Sequence, residues 1–190
     1  MMFNDFSLET FILAGGKSSR MGQDKGLTIF KDKALIAHMI DKSMALGLNT
    51  SIISNQIGYE KFGLSLYKDV IEHSGPLGGL FTAISYSKSS HVLVLPCDMP
   101  NLSVENLKEL TSKIFNKEAY ISSMHNRINP LVGVYSCLLL NKIQDKIQYN
   151  ELKMLDFVSS LNHQIIEFQS INENEFANIN TQIDLRYAQD

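Results

Sequence analysis

Phe11-Ile-Leu-Ala-Gly-Gly-Lys-Ser-Ser-Arg-Met-Gly-Gln-Asp-Lys25 is the stretch on which the reading of the fold turns. Phe11 to Ala14 is a short apolar run that stops at Gly15-Gly16, the pattern of a buried strand running into a glycine turn. The segment beyond it gathers Gly15, Gly16 and Gly22 with Lys17, Arg20 and Lys25. Glycines let backbone N–H groups approach a ligand closely, and three cations supply charge for a polyphosphate. Neither Gly-x-x-x-x-Gly-Lys-Ser/Thr nor Gly-x-Gly-x-x-Gly occurs here, so the loop is neither of those phosphate motifs. The plain alternative is a glycine turn whose basic residues are solvated.

Working outward, short strand-like runs alternate with longer helical ones. Ala34 to Leu46 has helical spacing and Gly47 as a stop. Ser51 to Ser54 reads as a strand, and Ser65 to Tyr67 as a weaker one. Gly78 to Tyr86 reads as a helix entered through Gly75-Pro76. His91 to Leu95 is the clearest strand, closed by Pro96. Ser103 is placed to cap a helix from Val104 to about Phe115. Ala119 to Ser123 and Leu131 to Tyr135 read as strands, Leu138 to Ile147 and Leu152 to Leu161 as helices, and Gln164 to Phe168 as a late strand. Thr181 caps a last helix reaching Ala188. This alternation predicts an α/β fold: a Rossmann-like, three-layer arrangement with a mostly parallel sheet flanked by helices, built as one domain over 1–190.

In such sheets ligands bind beyond the carboxyl ends of the strands. The segments after Ala14, Ser54, Tyr67 and Leu95 are therefore expected to line one site. Leu95-Pro-Cys-Asp-Met-Pro100 places Asp98 just past a central strand. Magnesium is commonly held by one or two carboxylates, with phosphate oxygens and waters completing its shell. Asp98 fits that role, and a turn-capping Asp is the plain alternative. Asp69 follows another strand and faces the same crevice on this reading. A carboxylate there can accept hydrogen bonds from the N1–H and N2–H₂ edge of guanine, or be a surface charge. Gly75-Pro-Leu-Gly-Gly79 is either ligand-facing or simple helix entry.

Composition narrows the classes. The net charge is −3 and no Lys/Arg run stands out, which argues against a nucleic-acid partner. No apolar run approaches the roughly 20 residues that span a bilayer, and Met1 to Thr10 has no basic leader, so a cytoplasmic protein without membrane partners is expected. Cys97 and Cys137 have no zinc-type spacing and read as reduced core residues. His38, His73, His91, His125 and His163 show no ligand spacing. Arg127, before Asn129-Pro130, is either a phosphate contact or a solvated loop residue.

Leu-Ala-Gly-Gly-x-Ser-x-Arg-Met-Gly-x-Asp-Lys over Leu13 to Lys25 resembles the signature of the molybdenum cofactor guanylyltransferases, a branch of the nucleotidyltransferases. The other landmarks follow in that family's order: Asn55, Asp69, Gly75-Pro-Leu-Gly-Gly, Pro96-Cys-Asp-Met-Pro and Phe176-Ala-Asn-Ile-Asn-Thr181. The resemblance covers about Leu13 to Thr181. It implies transfer of GMP from GTP to molybdenum-bearing molybdopterin, with Mg²⁺ as cofactor and with molybdoenzyme chaperones or other cofactor-synthesis proteins as further partners. In the family's pattern Gly-Gly at 15 and 16, rather than Ala-Gly, separates guanylyl from cytidylyl relatives.

Carried over by position, the resemblance implies nucleotide contacts at Leu13, Ala14, Gly15, Gly16, Asn55 and Gly78. It implies phosphate contact at Lys25 with Arg20 beside it, base reading at Asp69, metal binding at Asp98, and acceptor binding at Asn178 and Asn180. On this reading Lys25 serves the ligand rather than the core. Two other functions compete: a cytidylyl- or sugar-phosphate nucleotidyltransferase on the same fold, and a non-catalytic nucleotide-binding module. Arg20, Lys25 and Asp98 together weigh against the second.

Overall fold

The computed structural model describes residues 6–15, 24–169 and 174–187. Among the described residues, nine strands and six α-helices follow one another along the chain. The strands are β1 (Leu8–Leu13), β2 (Ile29–Phe30), β3 (Lys33–Ala34), β4 (Thr50–Ile53), β5 (Ser65–Tyr67), β6 (His91–Pro96), β7 (Ala119–Met124), β8 (Arg127–Ser136) and β9 (His163–Glu167). The helices are α1 (Leu35–Ala45), α2 (Gly75–Tyr86), α3 (Val104–Ser112), α4 (Leu140–Gln148), α5 (Met154–Ser159) and α6 (Gln182–Tyr187). Seven strands form one sheet in the order β5-β4-β1-β6-β8-β7-β9, and β2 and β3 make a separate small hairpin.

The expected parallel sheet is present from β5 to β6, and β7 pairs with β9 in parallel. Between the two groups β8 runs antiparallel to both β6 and β7. A two-residue turn forces this reversal: Met124 pairs with Arg127, and His125 and Asn126 take left-handed φ values of 50° and 61°, the geometry of tight hairpins. Registry jumps between Ile121 and Ser122, whose partners are Gly133 and Asn129. Pro130 falls in the skipped stretch, where its missing N–H costs no ladder bond.

Alternation within β6 shows why the sheet is covered on both faces. Leu93 and Leu95 pack with Ile36 and Met39 of α1 and Leu107 and Leu110 of α3. Val92 and Val94 pack with Leu77 and Leu80 of α2, Ile143 of α4 and Phe157 of α5. All four strand residues are fully buried, so a period of two is masked as a continuous apolar run. Truncating Leu93 or Leu95 to Ala is expected to cost about 2–5 kcal/mol. Phe30, Leu35, Ile179 and Leu185 form a third cluster that joins the β2–β3 hairpin, α1 and the C-terminal segment.

Helix ends explain where expectation and structure part. The helix α1 stops as read, at Gly47 with φ of +71°. The helix α2 begins at Gly75 rather than Gly78, with Pro76 in its first turn, where an N–H is not needed. The helix α3 ends at Ser112, short of Phe115. The Phe115 N–H donates to the buried Tyr120 hydroxyl at 2.5 Å, which takes it out of the helical ladder. Among the described residues no helix is long and apolar enough to cross a membrane.

Candidate active site

Strand registry aligns four loops. Leu13 pairs with Ile53 and with Pro96, and Ile53 pairs with Tyr67. One residue on, the ladder closes with Ala14 N–H to Ile53 O (2.8 Å), Ser54 N–H to Tyr67 O (2.9 Å) and Cys97 N–H to Leu13 O (3.2 Å). Two residues past that line are Gly15, Asn55, Asp69 and Asp98, one from each parallel strand. Neighbouring strands lie about 4.8 Å apart, so Asp69 and Asp98 are separated by roughly 14 Å across three strand steps.

At the β6 end, Asp98 is 6% exposed. Its Oδ2 receives the Lys25 ammonium. Its Oδ1 is buried and has no hydrogen-bond partner among the described residues. An unsatisfied buried carboxylate oxygen is costly, so a ligand or ion supplied at that point is favoured. Among the described residues no three His, Cys, Asp or Glu side chains converge on one point. Asp98 also binds through its backbone, its carbonyl accepting the Ile179 N–H at 2.9 Å. That bond brings in the C-terminal segment.

Within this segment Ile179 is buried while Asn178 and Asn180 are exposed. Asn180 Oδ1 accepts from Lys25, so Lys25 bridges two loops 73 and 155 residues away from it. Lys25 is held more firmly than the sequence suggests. With its side chain 23% exposed against 8% for Asp98, it is an ion-pair partner of a buried carboxylate, and removing it disturbs the fold as well as any ligand. The turn that carries Lys25 is capped by Asp24, whose side chain accepts from Gly26 N–H at 3.0 Å and from the Tyr59 hydroxyl.

At the β5 end, Asp69 and Asn55 hold each other. Asn55 Nδ2 donates to Asp69 Oδ2 and Asp69 N–H donates to Asn55 Oδ1, both at 2.9 Å. Burial pushes the Asp69 carboxyl above the usual aspartate range. The bond from Asn55 works against that, and the nearby Glu72 adds to it. The loop below is fixed to α2 by Val70 N–H donating to Thr82 Oγ1 at 3.0 Å, while that hydroxyl donates to Gly78 O at 2.9 Å.

Of the other residues singled out in the sequence, Ala14 is buried and Gly15 exposed, with open space where a Gly15 side chain would project. Gly78 is buried under the loop: a Cβ there would come within 2.8 Å of Ser74 Cβ and 3.1 Å of Ile71 O. Packing alone thus requires a glycine at 78. Gly79 lets α2 lie against the end of β1, since a Cβ would meet the Leu13 side chain at 3.1 Å. Gly16, Lys17, Arg20 and Gly22 lie outside the described residues. Cys97 is buried with a free thiol, which burial pushes up, so it is no nucleophile. Arg127 is exposed at the hairpin end.

Sequence reasoning missed Tyr59 and Glu175. Glu175 is 2% exposed, and its Oε1 accepts from Ser103 N–H (2.8 Å) and Asn106 Nδ2 (2.7 Å). It thereby ties the segment bearing Asn178 and Asn180 to the start of α3. Neither residue stands in a pattern of its own, because the partners of each lie 35 and about 70 positions away.

The pattern of the MobA-like NTP transferase domain family matches residues 10–162. A Flavobacterium johnsoniae protein named "Probable molybdenum cofactor guanylyltransferase" is 37% identical over 92% of this chain and 93% of its own length. The molybdenum cofactor guanylyltransferase of Haemophilus influenzae strain 86-028NP is 33% identical over 95% of this chain and 96% of its own length. The crystal structure of molybdopterin-guanine dinucleotide biosynthesis protein A from Archaeoglobus fulgidus shares the fold, with a TM-score of 0.79 over 95% of this chain and 96% of that one at 22% identity. Parallel strands whose ends bring Asp98, Lys25 and Asn180 together, and this matching pattern over most of the length, lead to one statement: the chain belongs to the MobA-like NTP transferase family and is a nucleotidyltransferase.

Proposed function

We propose that this protein transfers GMP from GTP to the terminal phosphate of molybdenum-bearing molybdopterin, giving the guanine dinucleotide form of the cofactor and pyrophosphate. The observation that carries the reading is the row of strand ends. It sets a carboxylate–lysine pair at one pole and a carboxylate–amide pair at the other, about 14 Å apart, a span suited to an extended nucleotide. The names of the relatives supply the acceptor.

In this reading the acceptor phosphate oxygen attacks the α-phosphorus of GTP, a new P–O–P linkage forms, and the bond to the bridging oxygen of pyrophosphate breaks. The acceptor phosphate is already anionic near neutral pH, so no general base is required. The obstacle is repulsion between anions, and catalysis consists of positioning and charge compensation. Lys25 and Arg20, the latter assigned from the sequence alone, compensate the triphosphate. Leu13, Ala14, Gly15 and Gly16 line the nucleotide with backbone. Asp69, oriented by Asn55, accepts from the guanine edge, and Asn178 and Asn180 face the acceptor. The unpartnered Asp98 Oδ1 fits Mg²⁺, a hard cation that takes one or two carboxylates plus phosphate oxygens. Held there, the ion would supply positive charge against the transferred phosphate.

A panel of GTP, CTP, ATP and UTP with Mg²⁺ tests the assignment, because a ligand that binds only the native state raises the melting temperature. GTP is expected to stabilise most, and only GTP to release pyrophosphate when molybdenum-bearing molybdopterin is added. Equal or greater stabilisation by CTP would sink the guanylyl assignment and favour the cytidylyl reading on the same fold.

A further inference from the structure

The reach of Lys25 to Asp98 and Asn180 depends on where its turn is held, and the turn is held from behind. Residues Lys25–Leu27 form one 3₁₀ turn. Asp24 caps it, and Asp24 Oδ1 accepts from both the Gly26 N–H and the Tyr59 hydroxyl. Tyr59 is completely buried, with its ring against Phe62 at 6.3 Å between centroids. It lies in the loop after β4 and reaches the turn from beneath. Gly58, at φ of +97°, brings the same loop so close that a Cβ there would be 3.0 Å from the Leu27 side chain. Gly26 faces the tyrosine directly: a Cβ at 26 would lie 2.4 Å from the hydroxyl and 3.2 Å from the ring carbon bearing it.

We propose that Tyr59 is a positioning residue for the transfer reaction: through its hydroxyl and Asp24 it fixes the turn that aims Lys25 at the triphosphate. A tyrosine that merely filled the core could be Phe, without the cost of burying a hydroxyl. The hydroxyl instead donates to a carboxylate that itself caps the Lys25 turn. Burial, and then the bond to Asp24, push the phenol above the ordinary tyrosine range, so it remains a donor throughout neutral pH. Being buried, Tyr59 touches no ligand, and its effect passes through Lys25. The proposal rests on the reading of Lys25 as a triphosphate contact.

A double-mutant cycle on triphosphate affinity tests it, because coupling between two sites appears as non-additivity. Calorimetry would measure Mg²⁺–GTP binding to wild type, Tyr59→Phe, Lys25→Ala and the double variant, with denaturation of each unliganded protein alongside. Tyr59→Phe is expected to weaken binding roughly tenfold when Lys25 is present, the scale of one lost charged hydrogen bond. In the Lys25→Ala background the loss is expected to shrink to less than about twofold. An equal loss in both backgrounds would overturn the proposal, since Tyr59 would then act on the fold and not on Lys25.

Gly26→Ala gives a second reading that does not need Tyr59→Phe to be fully stable. It is expected to weaken triphosphate binding while Tyr59 is present and to be partly relieved in Tyr59→Phe, where the hydroxyl at 2.4 Å is gone and only the ring carbons, at 3.2 and 3.3 Å, remain. Harm of equal size in both also overturns the proposal. Should wild type prefer another nucleoside triphosphate, the cycle runs with that one; the base assignment then fails and the Tyr59 test stands. Wild type that binds no nucleoside triphosphate overturns both.

Discussion

Asp98 and Asp69 occupy equivalent points, each two residues past one register line of the same parallel sheet, yet their surroundings oppose each other. Asp98 is almost fully buried, has a cation on one oxygen and leaves the other unpartnered. Asp69 is half-buried, has no cation among its hydrogen-bond partners in the described residues, and is steadied by a neutral amide. The difference teaches that strand-end position selects which side chains meet a ligand, while the neighbours select what those side chains can do. A carboxylate beside Lys25 with an unpartnered oxygen suits holding a cation, and the proposal places that cation's charge at the reacting phosphate. A half-buried carboxylate held by an amide suits the proposed recognition of paired N–H donors.

The sharpest way to break this comparison is Asp98→Asn. It keeps size and removes charge. Transfer is expected to fall on the order of 10³-fold, since several kcal/mol of charge stabilisation are lost, while GTP still binds. Pyrophosphate release over a Mg²⁺ titration measures it. Release near the wild-type rate at saturating Mg²⁺ would reduce Asp98 to a turn residue.

Lys25→Ala comes next and strikes both catalysis and fold. Turnover is expected to drop strongly. Stability of the unliganded protein is expected to fall by about 1–3 kcal/mol, somewhat less than for a fully buried broken pair. Adding Asp98→Asn to Lys25→Ala is expected to restore part of that loss, because the uncompensated carboxylate is then gone. Urea denaturation of the two variants decides it, and no recovery in the double variant would show that the pair is not what the lysine stabilises.

Asp69→Asn is expected to be milder: about 1–3 kcal/mol of GTP affinity, with little change in affinity for the other nucleotides. An amide cannot accept both bonds that the guanine edge offers. Competition binding of GTP against CTP measures it, and an unchanged preference would move base recognition elsewhere.

The smallest expected effect is in pH. Because burial raises the Asp69 carboxyl, the folded protein holds that proton to a higher pH than free aspartate, near ~3.9. Guanine reading needs the ionised form. GTP preference over CTP is therefore expected to rise with pH through a midpoint above that of free aspartate, and to lose this dependence in Asp69→Asn. A preference flat over the whole acid range in wild type would separate Asp69 from the base.

Much of this was legible in sequence because the parallel strands end in local signals. Gly15 after Ala14, and Pro96 after Leu95, mark where chain leaves the sheet, and Asp98 follows Pro96 by two residues, as Asp69 follows Tyr67 at the end of β5. The reversed direction of β8 was not legible: the turn that causes it uses His125 and Asn126 in left-handed conformation without a glycine. The β2–β3 hairpin escaped for the same reason, with Lys31 and Asp32 at φ of 46° and 66°. The supports of the site were also invisible, because Tyr59–Asp24 and Glu175–Ser103 are contacts between distant segments. No periodicity announces such contacts. The Lys25–Asp98 pair shows the limit most clearly: both residues were singled out, but their bond to each other required the fold.

The division of labour between the two carboxylates is tested most directly by steady-state kinetics and GTP binding of Asp98→Asn and Asp69→Asn side by side, with molybdenum-bearing molybdopterin as acceptor. Asp98→Asn is expected to lose kcat and nearly keep its Kd for GTP, and Asp69→Asn to lose GTP affinity and nearly keep its kcat. Loss of kcat in Asp69→Asn with affinity intact, or the same pattern in both variants, would contradict it.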